Sequence, residues 1–188
     1  MQPLFLRKTM LRISLTVFFL FVSFLYSFTG LGEGASAVPE VKSMAKPDRC
    51  AELFREMQLE GEVNYTAFRQ AVTGYYRIAQ RKKEILTLID FSKPSTEKRL
   101  YVFDMKEKKM LFSSVVAHGV YATSFSNEYG SYKSSLGFYL TASTYQGKNG
   151  YSLILDGLEK GINDRARERA IVVHGAAYAD PSVIRAGG

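Results

Sequence analysis

Ile85-Leu86-Thr87-Leu88-Ile89-Asp90-Phe91, Arg99-Leu100-Tyr101-Val102-Phe103-Asp104 and Met110-Leu111-Phe112-Ser113-Ser114-Val115-Val116-Ala117 follow one another within 33 residues, each an apolar or alternating run. Runs of six to eight residues rich in β-branched and aromatic side chains predict strands rather than helices. Turn chemistry separates them: Ser92 to Ser95 with Pro94, then Met105-Lys106-Glu107-Lys108. The second and third runs predict a hairpin. Further strands are expected at 136–141, 151–155 and 170–173, with the glycines at 130, 137, 147, 150, 157, 161 and 175 marking turns or close backbone approaches. Residues 84–188 therefore predict one β-rich domain with six strands, enough for a small sheet or sandwich around one core.

Upstream, the period changes. Leu53, Phe54 and Met57, then Tyr65, Phe68, Val72, Tyr75 and Tyr76, recur at three-to-four spacing, interrupted by Gly61, with Asn64 placed as an N-cap. Residues 48–83 thus predict two short helices that bury their aromatic stripe against the sheet. The fold class is mainly β, α+β, with the helices first.

The first 37 residues have a different character. Arg7, Lys8 and Arg12 precede an unbroken apolar run from Ile13 to Phe28, and Gly34-Ala35-Ser36-Ala37 offers a small-residue cleavage site. This pattern predicts a secretory signal peptide over 1–37, followed by a polar linker over 38–47. The run is shorter than the roughly 20 residues that span a bilayer, so no stable membrane span is expected after cleavage. Export would place the protein in the periplasm, the cell wall or outside the cell. Three of the 25 Lys+Arg and one of the 18 Asp+Glu lie in that leader, which leaves a net charge of +5. That charge suits an anionic wall or lipid surface. It excludes a nucleic-acid reading, because the basic residues alternate with glutamates instead of forming a stripe.

Metal binding and phosphate-loop chemistry find no support. His118 and His174 lack the spacing of a metal set, so no metal is expected. Cys50 is the single cysteine, which rules out an internal disulfide, and its place at a helix start reads as a structural thiol. Nucleophilic catalysis fits better. Ala170-Ile171-Val172-Val173-His174-Gly175 is an apolar strand delivering a histidine to a rim, the way a general base is presented. Ser131 could pair with Lys133 as a serine–lysine acylase would, although Gly130-Ser131-Tyr132-Lys133-Ser134-Ser135 also reads as a hydroxyl-rich turn.

Taken in order, IDFSKPSTEKRLYVFD, VVAHG, ATSFSN, GSYKSSLGFYLT, YQGKNGYSL and LDGLEKGINDRARERAIVVHGA resemble the exported murein L,D-transpeptidase catalytic domains of the YkuD type. The resemblance covers residues 86–176. It implies a β-sandwich-type domain that acts on peptidoglycan stem peptides without a cofactor. A cysteine thiolate would attack the bond between diaminopimelate and the terminal D-Ala, hold the acyl group as a thioester and pass it to an amine. His174 matches the family base. His118 matches a second His-Gly pair with a substrate-orienting or structural part, and Asn127, Ser131, Lys133, Gly137 and Gly175 would line the site. Arg165, Arg167 and Arg169 are candidates for neutralising a diaminopimelate carboxylate.

One departure stands out. In the family the His-Gly strand leads into Ser-x-Gly-Cys-Pro, and no such element occurs between Ala176 and Gly188. Two expectations follow: a transpeptidase whose nucleophile is not among these residues, or a non-catalytic exported protein that binds the wall. The oligomeric state is not legible.

Overall fold

The computed structural model describes residues 3–7, 48–119 and 124–180; the apolar run at 13–28 and the linker at 38–47 lie outside them. Helices α1 (Arg49–Glu56) and α2 (Tyr65–Arg77) come before the main strands. Both have N-caps made by their own sequence. The Asp48 carboxylate accepts from the backbone N–H of Cys50 and Ala51, and the Asn64 side chain accepts from Ala67 N. The Tyr65 hydroxyl also donates to Asp48 at 2.7 Å, tying one helix start to the other.

Strands β1 (Pro3–Arg7), β2 (Ile85–Asp90), β3 (Leu100–Asp104), β4 (Lys109–Ser114), β5 (Gly137–Gly147), β6 (Gly150–Gly157) and β7 (Val172–His174) follow the predicted runs, except the first. Strands β2, β3 and β4 form one antiparallel three-stranded block, and β5, β6 and β7 form another. The hairpin expected from the second and third runs is β3–β4, with a register shift between Val102 and Phe103. Strand β1 lies between the blocks, parallel to β2 and antiparallel to β5, giving the order β4-β3-β2-β1-β5-β6-β7. Residues 3–7 fall within the expected leader, and five residues ahead of a long apolar run carry no strand signal of their own. The fold is mainly β with two helices, as an α+β domain of this kind requires.

Alternation along the strands divides the core into two. Leu86, Leu88, Tyr101 and Phe103 face the helices and pack with Phe54, Phe68, Ala71, Val72 and Tyr75. Ile89 and Leu100 join Tyr139, Leu155 and Ala166 in a second cluster, with Phe91, Val116, Leu136, Ile171 and Val173 packed against it. The aromatic stripe of α2 is core at Phe68 and Tyr75, which are fully buried, but Tyr76, expected on the same stripe, is exposed because its position next to Tyr75 turns it off the buried face. Gly74 is where the helix meets the sheet, since a Cβ there would overlap the Phe138 ring.

Candidate active site

His174 ends β7, the edge strand of the second block. Its neighbour Val173 packs into the second core cluster, so alternation turns the His174 side chain to the opposite face. Directly across the sheet, His174 pairs with Ser152, and Ser152 pairs with Tyr145, which puts all three on one face. The His174 Nδ1 lies 2.8 Å from the Gly175 carbonyl oxygen. A carbonyl only accepts, so this bond requires the proton on Nδ1 and leaves Nε2 with a free lone pair. The Tyr178 ring stands edge-on to the imidazole at 6.5 Å. A Cβ on Gly175 would meet nothing within 4 Å, so among the described residues the space beside the histidine is open.

A second group of polar residues gathers where the loop after β4 meets the loop before β5. His118 and Gly119 line a cavity of ≈ 50 Å³ with Phe91, Arg99, Ser124, Phe125 and Ser134. Gly119 N donates to Ser134 Oγ, and a side chain at Gly119 would run into the backbone of Tyr132. Lys133 Nζ donates to Ser124 Oγ at 2.8 Å. The lysine thus pairs with Ser124 and not with Ser131, as the serine–lysine reading of the turn had it. Burial pushes the His118 imidazole pKa down and the nearby Arg99 charge adds to this, so His118 is held toward its neutral form.

The remaining sequence candidates are placed in supporting positions. Asn127 Nδ2 donates to Asp164 Oδ1 and its Oδ1 accepts from Arg165 N, so both ends of the amide dock the loop onto the β6–β7 connection. Ser131 accepts from Arg169 Nη2. Gly137 has φ +105°, and a Cβ there would strike the Glu159 carboxylate. The three arginines are all engaged within the protein: Arg165 with Glu168, Arg167 with Asp156, and Arg169 with the 126–135 loop. Their expected part in binding a diaminopimelate carboxylate therefore has no free guanidinium behind it in Arg165 or Arg167.

Several residues escaped the sequence reading. Asn163 is fully buried, donates to the carbonyls of Leu136 and Phe138, and accepts from Glu159 N. Glu159 in turn accepts from Phe138 N at 2.7 Å. Together they clamp the start of β5. Arg99 is 2 % exposed and donates through Nε and Nη2 to Val116 O and through Nη1 to Lys93 O. The one available signal for Arg99 was a charge opening an otherwise apolar strand. For Asn163, set between Ile162 and Asp164 in a charged stretch, there was none.

Among the described residues no group of His, Cys, Asp and Glu could hold a metal ion. Cys50 lies on α1 and packs half-buried against the helix–sheet core, where burial and the Asp48 charge push its thiol pKa up. That is the opposite of an activated nucleophile.

A family model for the L,D-transpeptidase catalytic domain matches residues 59–188. The chain belongs to that family. The match runs from the turn after α1 through both blocks of the sheet, so the His174 strand and the His118 loop both lie within the L,D-transpeptidase domain. No curated protein and no solved structure matches the chain.

Proposed function

We propose that this L,D-transpeptidase domain supplies the general base and the substrate cradle for acyl transfer between peptidoglycan stem peptides, with His174 as the base. The observation that carries the reading is the Nδ1 contact to Gly175 O, which leaves Nε2 as an acceptor on an open rim. A thiol presented there gives its proton to Nε2 and attacks the carbonyl between diaminopimelate and D-Ala. As the tetrahedral adduct collapses, the imidazolium returns the proton to the departing D-Ala amine, leaving a thioester. An acceptor amine then loses a proton to the same Nε2, attacks the thioester and forms the crosslink, and the thiol is regenerated.

The 188 residues contain one cysteine, and its position and raised pKa do not suit that part. A second reading has these residues bind wall peptides without turning them over. Export to the periplasm or cell wall by the leader over 1–37 accompanies both readings, and residues 3–7, which the sheet holds as β1, leave with that leader when it is cleaved after Ala37. No helix among the described residues is long and apolar enough to cross a membrane.

The test is release of D-Ala from a disaccharide-tetrapeptide by two proteins: the chain as given, and the chain extended by a loop carrying Ser-x-Gly-Cys. Turnover by the extended protein only, abolished by His174→Gln, supports acyl transfer with His174 as base. Turnover that survives His174→Gln removes the histidine from the mechanism. Tetrapeptide binding without turnover in both proteins supports the binding role.

A further inference from the structure

The cavity beside His118 has a charge imbalance. Its lining holds the Arg99 guanidinium and the His118 imidazole with the hydroxyls of Ser124 and Ser134, while Phe91 and Phe125 supply aromatic walls packed edge to face at 5.5 Å. Among the described residues no aspartate or glutamate lines it. Arg99 lies with its Cζ 4.8 Å from the Phe91 ring centroid and uses three of its five N–H groups on the carbonyls of Val116 and Lys93. Among the described residues one N–H on each terminal nitrogen has no partner. Burial lowers the Arg99 pKa to about 10, and Asp90 offsets that only through space. Among the described residues Asp90 makes no ion pair with it: Oδ1 accepts from Ser92 N and Oγ, and Oδ2 is buried with no hydrogen-bond partner there. A buried cation without a hydrogen-bonded anion is an unbalanced arrangement, which an incoming carboxylate corrects.

The rim adds to this. Lys133 Nζ has a neutral hydroxyl, Ser124 Oγ, as its hydrogen-bond partner and so brings a second positive charge to the mouth of the cavity. At ≈ 50 Å³ the cavity has room for a carboxylate head.

We infer that the cavity formed by Arg99, His118, Ser124 and Ser134, with Lys133 at its rim, is a subsite for one free carboxylate of the stem peptide. This rests on the proposed wall-peptide substrate and assigns it an anchoring point. Arg99 gives the fixed charge at the base, and Lys133 and Ser124 close over the carboxylate from the solvent side. The wall of this subsite and the His174 strand share a core, since Phe91 and Val116 pack in the same cluster as Val173. An anchored carboxylate is therefore held against the same rigid unit that carries the base.

Calorimetric titration tests the inference with the full chain and a stem tetrapeptide whose carboxyl groups are amidated one at a time. The expected result is that one amide binds at least tenfold more weakly than the free acid. Lys133→Met and Ser124→Ala should each weaken the free acid about fivefold and no longer distinguish it strongly from that amide. Arg99→Lys, which keeps the charge but loses the fork, should give the same pattern, and circular dichroism confirms folding of each variant. If every amide binds within twofold of the free acid, the subsite is overturned while the stem-peptide reading stands. If no form of the peptide binds to folded protein, both fall. Acetate as a separate probe should compete with the tetrapeptide in the millimolar range; failure to compete at any concentration overturns a carboxylate site.

Discussion

Arg169 Nη2 donates to the carbonyl oxygen of Lys133 at 2.6 Å, across 36 residues of sequence. The same guanidinium donates to Ser126 O, Ser131 Oγ and Ser135 Oγ, so one side chain from the β6–β7 connection organises the loop that carries Lys133. Burial lowers its pKa, in keeping with a cation whose partners are neutral oxygens. Arg169→Ala should destabilise the domain by roughly 2–4 kcal/mol, because four oxygens lose a charged donor. Arg169→Lys should recover little, since an ammonium cannot reproduce the fork. Urea unfolding checks both, and recovery of most of the loss by lysine would show that charge alone matters.

Two glycines should respond differently to alanine. A Cβ at Gly157 would overlap the backbone carbonyl of Asn163, which is itself fixed by the clamp on β5, so Gly157→Ala should cost about 3 kcal/mol, at the upper end for overpacking. Gly61 has φ +79° and open space around its Cβ position, so Gly61→Ala should cost about 1 kcal/mol, from backbone conformation alone. Thermal melts of the two variants compare them, and equal losses would contradict the clamp.

His118 gives the fold an acid-sensitive limb. Its pKa is lowered by burial first and by Arg99 second, so the unfolded chain, near 6.5, takes up the proton before the folded one does. Stability contributed by the neutral ring is therefore fully present above about pH 6.5 and falls as pH drops toward the lower folded pKa. His118→Gln should flatten that limb of the stability–pH curve. A histidine C–H NMR titration placing His118 at or above 6.5 would count against its burial.

Strand β1 makes a further prediction. It fills the position between β2 and β5, so a chain beginning at Val38 exposes the inner edges of both blocks. Such a chain should melt roughly 5–10 °C lower than the full one and self-associate on gel filtration. Identical melting and a monomeric elution would show that residues 3–7 contribute nothing to the sheet in solution.

Local periodicity determined much of the fold. Alternation in Ile85–Asp90 and Leu100–Asp104, and three-to-four spacing from Tyr65 to Tyr76, were readable because the neighbouring side chains of one strand or helix share a face whatever lies opposite. Asn64 was readable as a cap for the same reason, its partner being three residues away. The order of the motifs ending in His174-Gly175 was likewise enough to indicate the family that the match over 59–188 shows. The tertiary structure alone decided that Lys133 faces Ser124, that Asn127 docks on Asp164, that Arg99 lines one cavity with His118, and that Asn163 holds β5. Those pairings join residues 9 to 37 positions apart through loops, and they depend on which loops the strand order brings together. Side-chain identity at one position encodes no partner until the sheet fixes the distance.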